Sequence, residues 1–196
     1  LEKLNVPIAG NIPVFKGKGI IAPMDDFSMV TEAFHMIRTN INFLHPDQKR
    51  KGNVIFVTST LPGEGKTFVS LNLANSMVMH YEKILVLGLD LRAPSIGKYM
   101  GFEQRVGVTD YLINSNLSLD DIIIDSEEFE GLSYILSGNK PPNPSEFFAK
   151  PRLGELFEEL KKSYDFIIVD NSPIALVVDT LSIIKQADLV LYVVRA

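Results

Sequence analysis

The sequence predicts an α/β fold with a largely parallel central sheet and helices on both faces. Two observations carry this. Short apolar runs of strand character alternate with stretches of helical periodicity along most of the chain, the pattern of a parallel sheet covered on both sides. Three of the runs also end in a way that suits one crevice: Asn53–Thr58 opens into a glycine-bearing loop, while Ile84–Leu89 and Phe166–Val169 each lead into an aspartate, Asp90 and Asp170. In open α/β sheets ligands sit beyond the carboxyl ends of the strands, so the loop and both carboxylates are expected to face one ligand.

The loop reads Leu61-Pro62-Gly63-Glu64-Gly65-Lys66-Thr67-Phe68. A strand, a glycine-bearing loop and a helix opened by Lys-Thr form a phosphate-binding loop. Glycines let successive backbone N–H groups converge on a phosphate, and the helix N-terminus adds free donors and positive partial charge. In a P-loop NTPase, Lys66 would reach the β- and γ-phosphates of ATP, or the β-phosphate of ADP, and the Thr67 hydroxyl would bind Mg²⁺. The general motif has Gly where this chain has Thr60. Asp170 is the expected strand-end carboxylate that orients Mg²⁺, directly or through water. Arg92, two residues past Asp90, is placed to pair with a phosphate or a carboxylate.

The 196 residues suffice for one domain with a sizeable core, and the 46% apolar content excludes disorder. A net charge of −5 argues against a nucleic-acid partner. With no cysteine there is no disulfide framework or thiolate metal site. The three histidines, His35, His45 and His80, have no metal-ligand spacing. No apolar run reaches the roughly 18 residues of a membrane span.

The remaining elements follow in order. Residues 1–24 are rich in Pro and Gly and mildly basic, and read as an extended arm or juxtamembrane linker; residues 25–196 read as the P-loop domain. Ser28 caps a helix to Leu44 with Val30, Phe34, Ile37, Ile41 and Leu44 on one side and Glu32, His35 and Arg38 on another. The helix after Lys66 ends near His80. Short helical patterns are expected at Thr109–Asn114 and Leu119–Ile124, a strand at Leu132–Leu136 and a rigid turn at Pro141–Pro144. Pro151 opens a helix that ends at Lys161-Lys162-Ser163, and Asp188–Val194 is a last strand.

Taken together, these stretches resemble the cytoplasmic domain of the bacterial tyrosine kinases of capsule and exopolysaccharide production, from about residue 25 onward. Thr58–Thr67 looks like their Walker A loop, in which Ser or Thr stands at the position of Thr60. Leu85–Arg92 resembles their Walker A′ strand and Phe166–Pro173 their Walker B, and Pro141–Glu146 is typical of them. Glu32–Arg38 is similar to their oligomerisation motif, E-x-x-R-x-x-R. The resemblance implies Mg·ATP-dependent phosphorylation of tyrosines in trans within a homo-oligomeric ring, with Glu32, His35 and Arg38 at its interface. It implies Thr67, Asp90 and Asp170 as the Mg²⁺ set. It also implies a place at the cytoplasmic face of the inner membrane, a membrane activator, fused or separate, and polysaccharide export machinery as partners. On this reading the C-terminal end and its tyrosine-rich tail lie beyond residue 196.

The chain departs from the family's pattern at two positions. Gly88 stands where better-known members carry the first Asp of D-x-D, a residue that would help deprotonate tyrosine; a general base contributes roughly 10²–10⁴-fold in rate. His35 replaces the first Arg of the oligomerisation motif, exchanging a permanent charge for a weaker base. These departures leave open an alternative: a nucleotide-controlled oligomerisation switch with little or no kinase turnover. A partition-type ATPase would carry a signature lysine at the position of Leu61, and this chain does not.

Overall fold

The computed structural model describes residues 6–15, 28–45, 51–102, 105–174 and 183–195. The rest of the expected arm and residues 46–50 of the expected loop lie outside them. Within residues 6–15 there is no helix or strand; Ala9 and Ile12 pack on the core, and the Ala9 carbonyl accepts from Asn40 Nδ2 at 2.8 Å.

The described elements are α1 (Met29–Leu44), β1 (Asn53–Ser59), α2 (Lys66–Met77), β2 (Ile84–Leu89), α3 (Ile96–Met100), α4 (Val108–Ile113), β3 (Ile123–Asp125), β4 (Leu132–Ile135), α5 (Pro144–Phe148), α6 (Pro151–Ser163), β5 (Phe166–Asn171) and β6 (Leu189–Val193). The strands form one sheet in the order β3-β4-β2-β5-β1-β6. Every pairing is parallel except β3 with β4. The three middle strands β2, β5 and β1 are buried at every position, which explains their continuous apolar runs. The three middle strands divide their side chains between two cores. Ile55 and Val57 join α1 and α2 on one face, while Val54 and Phe56 join α4, α5 and α6 on the other. No helix among the described residues is long and apolar enough to cross a membrane.

Local chemistry sets the boundaries. The Ser28 hydroxyl accepts from Thr31 N at 3.2 Å, as an N-cap. After Met77 a turn carries the chain through His80, whose N–H bonds the Met77 carbonyl. Asp188 lies outside β6, and its carboxylate accepts from Val54 N at 2.9 Å.

Two expectations are corrected. Leu119–Ile124 does not form a helix. Ser118 and Asp121 close a local turn through bonds of 2.8 and 2.7 Å, and the β-branched Ile123 and Ile124 then enter β3, antiparallel to β4. The rigid turn at Pro141–Pro144 ends a residue early, because Pro144 opens α5 at its first position, where its missing N–H costs nothing.

Phe157 is fully buried in α6 and stacks on Phe56 of β1 at 6.2 Å between ring centroids. Phe157→Ala is expected to lower unfolding free energy by about 3–5 kcal/mol, read by urea denaturation.

Candidate nucleotide site

The carboxyl ends of β1, β2 and β5 bring the predicted groups together. β1 runs into the loop, whose left-handed turns fall on Gly63 (φ +82°) and Gly65 (φ +98°). A Cβ at either would meet nothing within 4 Å, so backbone conformation, not crowding, selects glycine here. Gly65 is the N-cap of α2 and presents no capping side chain, which leaves the first N–H groups of α2 to a ligand. Within the loop, Glu64 Oε2 accepts from Leu61 N at 2.7 Å. That N–H, foremost among several, holds the Glu64 carboxyl below its ordinary range. Leu61, Pro62 and Gly63 are exposed, and Thr60 bonds the Tyr192 hydroxyl. The Phe68 ring stacks on Phe15 at 5.7 Å and meets Phe34 edge-on, so its side chain serves the packing of α1 and residues 6–15.

Lys66, Thr67, Asp90 and Asp170 are 7%, 8%, 6% and 1% exposed, which puts all four at the shielded floor of the site. Thr67 Oγ1 donates to Asp170 Oδ2 at 2.7 Å and lies 2.7 Å from Ser95 Oγ. Ser70 Oγ lies 3.5 Å from Asp170 Oδ1. Burial pushes the Asp170 carboxyl up from 3.8 to about 7, against the pull of the Thr67 bond and the Lys66 charge. Asp90 Oδ1 accepts from Arg92 N (3.3 Å), Ala93 N (3.0 Å) and Ser172 Oγ (2.8 Å). These bonds fix the carboxylate through Oδ1. The Arg92 side chain is exposed.

The donor set fits a Mg²⁺-nucleotide. The Lys66 side chain is buried near the Asp170 charge, and its ammonium suits an anionic ligand. Among the described residues no three His, Asp or Glu side chains form a metal cage. Mg²⁺ instead takes one or two carboxylates and completes its shell with phosphate and water. Thr67 and Asp170 are in direct contact, and Asp90 is close enough to raise the Asp170 pKa.

Known proteins share this sequence and fold. The AAA domain family matches residues 52–196. The chain is 32% identical to EpsB of Ralstonia solanacearum over 196 residues, all of this chain and 26% of that protein. It is 33% identical to the tyrosine-protein kinase YwqD of Bacillus subtilis over 171 residues, 87% of this chain and 70% of YwqD. This chain belongs to the bacterial tyrosine-protein kinase family. The kinase domain of Escherichia coli tyrosine kinase ETK superposes with a TM-score of 0.88 at 27% identity, over 100% of this chain and 81% of that one. The chain therefore spans about a quarter of EpsB but most of the ETK kinase domain.

Within this kinase family's fold, Gly88 has a physical reason. It pairs in register with Asp170. A Cβ on it would lie 3.0 Å from Ser137 Oγ and 3.1 Å from Ile96 Cδ1. The Ser137 hydroxyl fills that space and donates to the Gly88 and Asp90 carbonyls at 3.1 and 3.3 Å. The residues of the oligomerisation motif divide. Glu32 is exposed and lies 3.9 Å from His35 Nδ1. Arg38 is turned inward and donates to the Ser76 carbonyl near the end of α2 at 2.9 Å, and burial lowers its pKa.

Sequence reasoning missed the hydroxyls of Ser95, Ser137 and Ser172. Each acts across a long sequence separation, and serine is too common for its type alone to mark a site.

Gly88→Asp is expected to destabilise the fold by about 1–3 kcal/mol in urea, through overpacking against Ser137 and Ile96. The raised Asp170 pKa predicts a pH signature without nucleotide. An acid raised on folding stabilises the fold fully below its unfolded pKa near 4, and that contribution is lost as pH rises through about 7. Relative to Asp170→Asn, the ligand-free wild type should lose stability between about pH 4 and 7; urea melts at a series of pH values test this, and a constant difference would refute it.

Proposed function

We propose that this chain is the Mg·ATP-dependent phosphoryl-transfer domain of a protein-tyrosine kinase. The observation that carries the proposal is the buried contact between Thr67 and Asp170 beside Lys66, at the mouth of a loop shaped by two left-handed glycines. Thr67, Asp90 and Asp170 would hold Mg²⁺, which would supply charge neutralisation during phosphoryl transfer. The chain's own groups do the rest. The loop N–H groups from Gly63 to Phe68 and the Lys66 ammonium cradle the β- and γ-phosphates. Thr67, Asp90 and Asp170 hold the metal side of the nucleotide. Arg92, exposed at the rim, offers charge to the transferring group. The Asp90 carboxylate takes over the tyrosine hydroxyl proton. Phosphoryl transfer rests chiefly on positioning and charge, so Gly88 in place of an acid leaves this machinery working.

The substrates are tyrosines of neighbouring copies, phosphorylated in trans within a ring to which Glu32, His35 and Arg38 contribute. The domain works at the cytoplasmic face of the inner membrane, with a fused or separate membrane activator, and regulates capsular or exopolysaccharide synthesis and export. Membership of the tyrosine-kinase family supports this reading.

The test is phosphotyrosine formation on the chain extended through its natural C-terminus. Lys66→Met should reduce labelling by at least about a hundredfold. Equal labelling in the variant would refute the kinase reading. Tight Mg·ATP binding without labelling in the wild type would favour a nucleotide-controlled assembly switch.

A further inference from the structure

We infer that Ser95 is a positioning residue for Thr67, setting the direction from which Thr67 binds Mg²⁺; the inference rests on the nucleotide reading above. A threonine hydroxyl has one proton and two lone pairs. The Thr67 proton points to Asp170 Oδ2 at 2.7 Å, and a carboxylate that holds Mg²⁺ is ionised and can only accept. Ser95 Oγ, also 2.7 Å from Thr67 Oγ1, is therefore the donor in its own bond and occupies one lone pair. With Cβ, the proton to Asp170 and the proton from Ser95 all fixed, one lone pair remains, and its direction is determined. Without Ser95, two lone pairs share that role and the oxygen's orientation is set by Asp170 alone.

The position of Ser95 makes this a specific arrangement. Ser95 is the N-cap residue of α3, a place where serine ordinarily bonds its own helix. Its side chain makes no such bond. The hydroxyl is instead spent 28 positions away, on Thr67. The same short segment that begins at Asp90 and ends at Ser95 thus delivers a carboxylate to the crevice and an orienting hydroxyl to the P-loop. Outer partners of this kind fix the geometry of a metal ligand, and their loss typically weakens metal binding by about 10-fold or more.

The experiment uses the full chain with a fluorescent ADP analogue, titrated with MgCl₂ at fixed nucleotide and again in EDTA. Ser95→Ala is expected to raise the Mg²⁺ midpoint by roughly 10-fold, with metal-free nucleotide affinity and melting temperature unchanged. Ser95→Thr, which keeps the hydroxyl, should restore the midpoint. An unchanged midpoint in Ser95→Ala overturns the inference alone. So does a parallel fall in metal-free affinity and melting temperature, which would make Ser95 a structural tether. A wild type whose nucleotide binding ignores Mg²⁺ overturns the nucleotide reading and this inference with it.

Discussion

The hydrogen bond from Thr67 to Asp170 is the joint on which the site depends. It links the first turn of the P-loop helix to the end of a strand more than a hundred residues later, and it does so where water is nearly excluded. A carboxylate buried to that degree is costly unless paired. Asp170 is kept by Thr67, Ser70 and the nearby Lys66 charge. A group held near its titration point in a dry pocket gains much from a neighbouring cation. Asp90 is built by a different rule. Its Oδ1 is tied by two backbone N–H groups and a serine, so that carboxylate is oriented by hydrogen bonds.

The rigidity behind this joint comes from the two cores. Alternate residues of β1 feed opposite faces, so the strand cannot slip by one residue without exposing one set and burying the other wrongly. α2 packs through Val69, Leu73, Ala74 and Met77 on one core. The phosphate loop is therefore suspended between a strand and a helix that are both fixed by packing, the condition for holding charged groups to a fraction of an ångström.

Much of this was legible in the sequence, for identifiable reasons. Middle strands buried on both sides read as unbroken apolar runs, and glycines required by left-handed turns stand out beside Lys66 and Thr67. Asp90 and Asp170 were legible because each ends such a run. Other features were hidden. Ile122–Ile124 is apolar and short, so periodicity alone cannot separate a helix from the edge strand it partly forms. Gly88 reads as a lost acid, whereas the space beside it belongs to Ser137, 49 positions on. Arg38 lies on the polar side of α1 as expected, but only the fold shows that its guanidinium reaches the Ser76 carbonyl.

That last contact gives α2 a mechanical character. The helix has 12 residues and so is roughly 18 Å long. One end presents the first-turn N–H groups that Gly65 leaves without a side-chain cap. The other is pinned near its terminus by Arg38 of α1, the helix whose outer side bears Glu32 and His35. The rod is thus moored at the end far from the loop, and sliding along its own axis would strain that hydrogen bond.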